Sequence, residues 1–400
     1  MIDTLVVNAA PGEMRIALLD GERTVEIYHH RDVALSVLGN LYLGRVTAML
    51  PGAKGAFIDI GLDRPGFLNA GDARTMANDA VTPINRALHE GEAVLVQVSR
   101  DALHQKGPRL TMRPTLAGRY LVFSPGQGAI EVSRRITQRL ERKRLKQILA
   151  DVADGTDGFT LRSAAQGVEP PLILADMASL HDAWKEAQAR RPQATPPACL
   201  WTAPEPLERA LMDYPGLRRV IIDDPATLAR ARRFLPEAVL QPYRHGEPIF
   251  ESFHVEAALE EAFEARVALL SGAAVIIEET NALCAIDVDS GGARGNLAIN
   301  LEAAEVIAHQ LRLRAIGGII VIDFLRLTKG SQRRHLIEAM AVFLSPDKDA
   351  TAPEGFSALG LVEMRRRRTR PSLSEILGAP GEAAKNPATI ALDRARAEKR

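Results

Sequence analysis

The stretch Ala285-Ile286-Asp287-Val288-Asp289-Ser290, followed beyond an amphipathic run by Ile319-Ile320-Val321-Ile322-Asp323-Phe324, decides how this chain is read. Each is an apolar, β-branched run ending in a carboxylate, which predicts two buried strands that deliver aspartate to their ends. An unpaired carboxylate in apolar surroundings costs several kcal/mol, so Asp287 and Asp323 need compensation. A shared hard metal ion would supply it; so would turn amides or one of the many arginines. Between the two runs, Asn300 reads as an N-cap with Glu302 in the first turn. Leu301, Ala304, Ala308 and Leu311 form one helical face, and Gly317-Gly318 is the stop. Strand, helix and strand would bring Asp323 beside Asp287, with Asp289 on the same side of its strand as Asp287. Oxygen donors in small number suit Mg²⁺ or Mn²⁺.

Four hundred residues exceed what one core supports and predict two to four compact units. Lys+Arg and Asp+Glu are 50 each, so nucleic-acid contact has to come from local patches, not net charge. Cys199 and Cys284 are the only cysteines, and neither lies in a CxxC or His-Cys cluster. That argues against structural zinc and a disulfide framework and favours a reducing, cytoplasmic compartment. No basic start precedes an apolar core and no apolar run reaches 18 residues, so neither export nor a membrane span is expected.

Strands are expected at Leu5 to Asn8 and Met14 to Leu19 around a Pro11-Gly12 turn. From Gly39 to Arg113, short strands at Leu43 to Met49, Gly55 to Ile60, Gly66 to Leu68 and Val94 to Val98 have the rhythm of a small β-barrel, with a long loop at 71–91. Phe57 and Phe67 flank one of its turns, near Arg45, Lys54 and Lys106. Two rings with adjacent cations suit single-stranded nucleic acid, at about 1–3 kcal/mol per stacked base; periodicity alone favours a core, where Phe is usually found. The charge run Ser133 to Lys146 reads as a helix, either a solvated face or a phosphate contact. The strand Phe159 to Ser163 ends in Arg162 and Ser163, a fork and a hydroxyl able to hold a terminal phosphate. The proline-rich Arg190 to Pro206 reads as a linker. A strand at Val220 to Asp223, a helix at Pro225 to Phe234 and a long helix at His254 to Leu270 follow it.

Taken in order, several segments resemble the catalytic half of the ribonuclease E/G family, nearest its G type. They are Gly39-Asn40-Leu41-Tyr42-Leu43-Gly44-Arg45-Val46, Ala56-Phe57-Ile58-Asp59-Ile60-Gly61, Gly66-Phe67-Leu68, Lys106-Gly107, Val132-Ser133-Arg134-Arg135-Ile136, Glu247-Pro248-Ile249-Phe250, Ile286-Asp287-Val288, Asn300-Leu301-Glu302-Ala303-Ala304, Ile322-Asp323-Phe324 and Thr369-Arg370-Pro371-Ser372-Leu373. The resemblance implies an α+β multi-subdomain fold. An S1/OB-type β-barrel (36–116) and a 5′-sensor (117–206) would be inserted in an RNase H-like subdomain (1–35 and 207–277). A DNase I-like α/β catalytic subdomain with a basic C-terminal tail (278–400) would follow.

The resemblance also implies residue roles. The family's Mg²⁺-binding aspartates fall on Asp287 and Asp323, and its nearby Asn falls on Asp289, which puts an extra negative charge where an RNA phosphate approaches. Stronger metal dependence is the expectation there. Its RNA-binding aromatics and cation fall on Phe57, Phe67 and Lys106, and its 5′-monophosphate pocket on Gly118, Val122, Arg162 and Ser163, where Ser stands for the usual Thr. The implied activity is Mg²⁺-dependent cleavage of single-stranded RNA, ribosomal RNA precursors or messenger RNA, leaving a 5′-phosphate and a 3′-hydroxyl. A non-catalytic RNA-binding protein of the same fold is the alternative, and retention of both Asp287 and Asp323 favours the enzyme. The family's zinc-link cysteine pair is replaced by Gly378-Ala379-Pro380-Gly381-Glu382, so no zinc and no zinc-linked tetramer are expected, while a homodimer is compatible. The run from Leu377 to Arg400 is shorter than the scaffold arm of the E type.

Overall fold

The structure, a computed structural model, describes residues 2–31, 36–50, 52, 54–73, 84, 88–102, 106–153, 155–280 and 282–377, with the backbone alone at Arg31. The chain forms two compact units, Met1–Ala34 with Gly216–Arg400, and Leu35–Pro215. The sequence reading put the corresponding divisions at 35/36 and 206/207.

The chain begins with an antiparallel meander of β1 (Thr4–Ala10), β2 (Glu13–Asp20) and β3 (Arg23–Arg31). The expected Pro11-Gly12 turn is there, with Gly12 at φ +78°, a conformation that favours glycine.

In the unit Leu35–Pro215, β4 (Leu41–Leu50), β5 (Gly55–Asp59), β6 (Gly66–Asn69), β7 (Ala93–Arg100) and β8 (Arg109–Thr111) run in the order β4-β5-β6-β8-β7, and β4 pairs with β7 to close a five-stranded barrel. Alternate residues Val46, Ala56, Ile58, Leu68, Val96, Val98 and Leu110 fill its interior. Gly44 permits the closure, because a Cβ there would come within 2.5 Å of the Ile58 side chain and 2.9 Å of the Asp59 carbonyl. Most of the loop at 71–91 lies outside the described residues.

A four-stranded sheet follows, ordered β11-β12-β10-β9, from β9 (Leu116–Ala117), β10 (Leu121–Ser124), β11 (Ile130–Val132) and β12 (Gly158–Leu161). Phe123 and Phe159 lie in the core it shares with α1 (Arg139–Ala150) and α2 (Pro170–Arg190), through Leu145, Leu149, Ile173, Met177 and Leu180. The charge run is helical only from Arg139; Ser133 to Gln138 is turn and coil. The proline-rich stretch is more than a linker. Its residues Ala198–Trp201 form β13, antiparallel to the start of β4, and Leu200 packs with Leu41 and Leu43. Helix α3 (Pro206–Asp213) ends this unit.

The first sheet is completed by β14 (Arg219–Ile222) and β15 (Leu240–Pro242), both parallel to β1, giving the order β15-β14-β1-β2-β3. Helix α4 (Pro225–Ala231) lies between them; α5 (Ile249–Ser252) and α6 (Val255–Glu261) follow, and Ile249, Phe250 and Val255 cover the sheet. The long helix expected from His254 to Leu270 stops at Glu261. Val267 instead sits opposite Val275 in a hairpin that turns at Gly272 (φ +85°). The alternation Arg266, Val267, Ala268 fits a half-buried strand, and local helix propensity upstream hid it.

That hairpin, β16 (Arg266–Ala268) and β17 (Ala274–Glu279), opens a second sheet with β18 (Cys284–Asp289), β19 (Gly318–Asp323), β20 (Gly355–Phe356) and β21 (Val362–Arg366), ordered β16-β17-β18-β19-β21-β20. β17 runs across 277/278, where the sequence reading began its last subdomain. Helices α7 (Asn296–Leu313) and α8 (Gly330–Leu344) cover one face of this sheet, burying Ile299, Ala303, Ile307, Leu311, Leu336 and Met340 against it; α9 (Leu373–Leu377) comes last. No described helix is long and apolar enough to cross a membrane.

Candidate active site

Along β18, Cys284, Ile286 and Val288 pack toward the helices, so Asp287 and Asp289 project from the opposite face. β19 does the same, with Ile320 and Ile322 inward and Asp323 outward. The sequence reading took Asp287 and Asp323 for buried carboxylates. Both are exposed, so desolvation does not demand a partner for either. What the fold does is pair them: β18 and β19 are parallel neighbours in which Asp287 lies opposite Asp323. Strands in a sheet are about 4.8 Å apart, and like charges directly opposite one another repel. Among the described residues no hydrogen bond or ion pair engages either carboxylate.

This donor set fits a hard divalent cation, which accepts one or two carboxylates and fills its other positions with water or phosphate oxygens. Among the described residues no three His, Cys, Asp or Glu side chains group closely enough to hold a metal by themselves. Asp289 is engaged elsewhere. It accepts from the Gly291 amide at 3.0 Å and pairs with Arg266 at 3.0 Å, and these contacts hold its carboxyl below the usual aspartate range.

Asn300 is not an N-cap. Helix α7 starts earlier, at Asn296, after Gly295 in the left-handed region (φ +98°), and Asn300 is buried within the helix. Its side chain donates to the Leu325 carbonyl at 2.8 Å and accepts from the Leu325 amide at 3.0 Å. It thereby clamps the segment that leaves β19 just after Asp323, a positioning role. His309, also on α7, donates Nε2–H to the Thr24 carbonyl at 2.7 Å, and burial pushes its pKa down to about 4. A neutral, engaged imidazole of this kind is a structural group.

On the barrel, Phe57 and Phe67 face each other across β5 and β6, with ring centroids 5.7 Å apart and planes at 60°. Both rings are half-buried and neither joins the barrel core, whose residues on these strands are Ala56, Ile58 and Leu68. Gly55 makes room for them: a Cβ there would lie 2.4 Å from the Phe67 ring. Lys106 is exposed. Gly107 follows it with no space for a side chain, since a Cβ would sit 2.0 Å from the Pro65 carbonyl. Arg109 lies beside Phe67 in register and pairs with Asp72 at 3.5 Å.

The expected 5′-end residues gather at one corner of the β9–β12 sheet. Arg162 donates to the Gly118 carbonyl at 2.6 Å and pairs with the Asp213 carboxylate on α3; Ser163, exposed, opens a 3-10 turn just after β12. Val122 is half-buried between Thr160 and Ala117. Gly118 is required because Asp176 on α2 collects the amides of Arg119, Tyr120 and Leu121 (3.1, 2.8 and 3.0 Å) at the spot a Cβ would fill, 2.6 Å from its oxygens. Of these four residues only Arg162 lines the neighbouring cavity of about 380 Å³, with Gln97, Arg113, Arg209 and Asp213. Asp176 and Asp213 carry no local sequence signal, because each acts across the fold.

Residues 115–369 match the sequence pattern of the Ribonuclease E/G family. The chain belongs to that family. It is 37% identical over 401 residues to Ribonuclease G of Escherichia coli (strain K12), covering 94% of this chain and 82% of the relative. Against Ribonuclease G of Haemophilus influenzae (strain Rd) it is 35% identical over 397 residues, covering 93% of this chain and 81% of the relative. Ribonuclease E of Nostoc sp. (strain PCC 7120) is 34% identical over 377 residues, 89% of this chain but 54% of that longer protein. The ribonuclease E/G match takes in Arg162, Asp287 and Asp323; Gly378-Ala379-Pro380-Gly381-Glu382, which the sequence reading set against the family's zinc-link cysteines, lies outside the described residues together with the rest of the basic tail.

Proposed function

We propose that the protein is a divalent-metal-dependent endoribonuclease that cleaves single-stranded RNA, of ribosomal precursors or messengers, and prefers a 5′-monophosphorylated end. The observation that carries the reading is the side-by-side pairing of Asp287 and Asp323 on an uncovered sheet face in a chain of the ribonuclease E/G family. These two carboxylates would hold Mg²⁺, with Mn²⁺ as the chemical substitute. When bound, the ion supplies Lewis-acid charge neutralisation at the phosphodiester under attack.

The chain's own residues do the rest. Asn300 keeps the end of β19, and so Asp323, in register with Asp287. Phe57 and Phe67 offer ring faces to unstacked bases while Lys106 meets the backbone, which selects unpaired RNA over duplex and tolerates any base. Arg162 and the Ser163 hydroxyl would donate to a terminal phosphate, Arg162 being held in place by Gly118 and Asp213. In-line attack by water leaves a 5′-phosphate and a 3′-hydroxyl. The test is incubation of a 5′-monophosphorylated single-stranded oligomer with the protein, with and without Mg²⁺, followed by end-group analysis. Cleavage only with the metal, giving those ends, is expected; 2′,3′-cyclic products or metal-independent cleavage would sink the reading.

Phe67→Ala is expected to weaken RNA binding by about tenfold, the equivalent of one lost stack, measured by fluorescence anisotropy in EDTA. No change would return the ring to a purely structural role. Arg266 offsets the charge of Asp289. Arg266→Ala is therefore expected to lower kcat/KM several-fold, and Arg266→Ala combined with Asp289→Asn to recover most of it. A double variant no better than Arg266→Ala would show that the pair does not govern phosphate approach.

A further inference from the structure

The outer face of α1 carries a shallow, open groove between its own side chains, formed by Thr137, Arg139, Arg142, Lys143, Lys146 and Gln147. The helix sorts its charges. Arg142 turns inward, donating to the carbonyls of Ser133 (2.7 Å), Ile136 (2.9 Å) and Val132 (3.1 Å). Arg144 pairs with Glu141, which also accepts from the Gly167 amide, so the one acidic residue of the run is turned away from the groove. Arg139, Lys143 and Lys146 remain, exposed and, among the described residues, engaged by no hydrogen bond or ion pair. They stand one turn apart on one face and span about 10 Å.

Their position makes the arrangement electrostatically unfavourable without an anion. Arg139 occupies the first helical residue, where the macrodipole already presents positive charge and favours acidic side chains. The N-cap, Gln138, makes no side-chain capping bond. Helix end and side chains therefore add to one positive field along an open helix face, whose one neighbouring carboxylate, Asp151, lies at the far end and accepts from Gln147 Nε2 at 2.6 Å.

We infer that this groove is a binding track for the phosphate backbone of single-stranded RNA, separate from the barrel aromatics and from Arg162 and Ser163. The inference rests on the RNA-cleaving reading only in its choice of polyanion. Three point charges without an aromatic face read no bases, so the contact lengthens the RNA path and raises affinity without adding sequence preference.

The test compares the parent with a triple variant, Arg139→Ala, Lys143→Ala and Lys146→Ala. The probe is a labelled 24-nucleotide single-stranded RNA carrying a 5′-hydroxyl, in EDTA so that neither the 5′-end pocket nor cleavage intervenes. Each single-strand phosphate contact contributes about 0.7 to the slope of log K against log salt. The triple variant is expected to lose about 2 from that slope and to bind about tenfold more weakly or worse near 0.1 M salt. A charge-matched control, Lys185→Ala, Arg191→Ala and Arg233→Ala, is expected to keep the parent's slope. The replaced side chains are exposed and alanine favours helix, so unfolding midpoints should match. Unchanged affinity and slope in the triple variant overturn the inference and leave the groove to solvent or an acidic protein. Equal losses in the control overturn it too, by showing a diffuse charge effect. A parent that does not bind the RNA at all overturns the RNA-cleaving reading itself.

Discussion

Replacing Asp323 by Asn is expected to lower kcat/KM for a single-stranded RNA by at least about a hundredfold. Asparagine keeps the size and one acceptor oxygen but removes half of the negative charge that the Asp287 and Asp323 pair presents on its sheet face. Loss of one electrostatic contact that acts on developing charge costs about 10²–10³ in rate, and the weaker hold on a hard cation adds to it. The same substitution removes a like-charge opposition between adjacent strands. The variant should therefore unfold no earlier than the parent when no divalent ion is present. Lost activity with retained or raised stability is the signature of a functional carboxylate; raised Mg²⁺ should recover part of the rate. Parent-like cleavage by Asp323→Asn would remove the aspartate pair from the mechanism.

The second large effect is on stability. Glu26 on β3 is almost fully buried and accepts from Arg312 Nε on α7 at 2.6 Å and from the Tyr28 hydroxyl at 2.6 Å. Burial alone would raise its pKa, but Arg312, with Lys348, Arg370 and the Tyr28 hydroxyl, outweighs it and holds the carboxyl at about 2, against an ordinary 4.5. A carboxyl depressed on folding contributes stability above its unfolded pKa and loses it as pH falls from about 4.5 toward 2. The full shift corresponds to about 3 kcal/mol. Glu26→Gln is thus expected to destabilise the protein by about 3–5 kcal/mol at pH 7, the usual effect of breaking one side of a buried pair. His309, on the same helix, acts at higher pH. Its pKa of about 4 lies below the ordinary 6.5, so its contribution is present above 6.5 and declines as pH falls to 4. Unfolding midpoints measured from pH 7 to 3 should fall in two overlapping stages, and Glu26→Gln should flatten the lower one. Identical profiles for parent and variant would show that the Glu26 pair does not lock α7 to the first sheet.

Much of the candidate site was legible because its signals are local. The apolar runs at 284–289 and 318–323, the helix between them and the glycine-punctuated barrel strands each carry their own periodicity, and the parallel pairing of Asp287 with Asp323 follows from that unit. Exposure was not legible. Ile286, Val288, Ile320 and Ile322 make both runs look uniformly apolar, yet only they face the helices, while the aspartates share the open side. Asn300 has the chemistry of a cap, and only the fold shows that its amide serves Leu325. Arg266 was hidden in what looked like a helix, and β13 in prolines whose strand exists only because β4 offers an edge. Asp213 and Asp176 reach their partners from distant elements.

The sheet that starts the chain has a consequence in time. Its first strand finds its parallel partner 215 residues later, as the Asn8–Asp223 contact shows. At roughly 5–20 residues per second of synthesis, β1 emerges about 10–40 s before β14 can cover its edge. In that interval the meander presents Leu5, Val6 and Val7 along an open strand, the kind of edge that recruits other chains. The inserted unit has time to fold while that edge waits, so newborn chains crowded on one messenger should be most vulnerable to pairing with one another just before residue 219 is made.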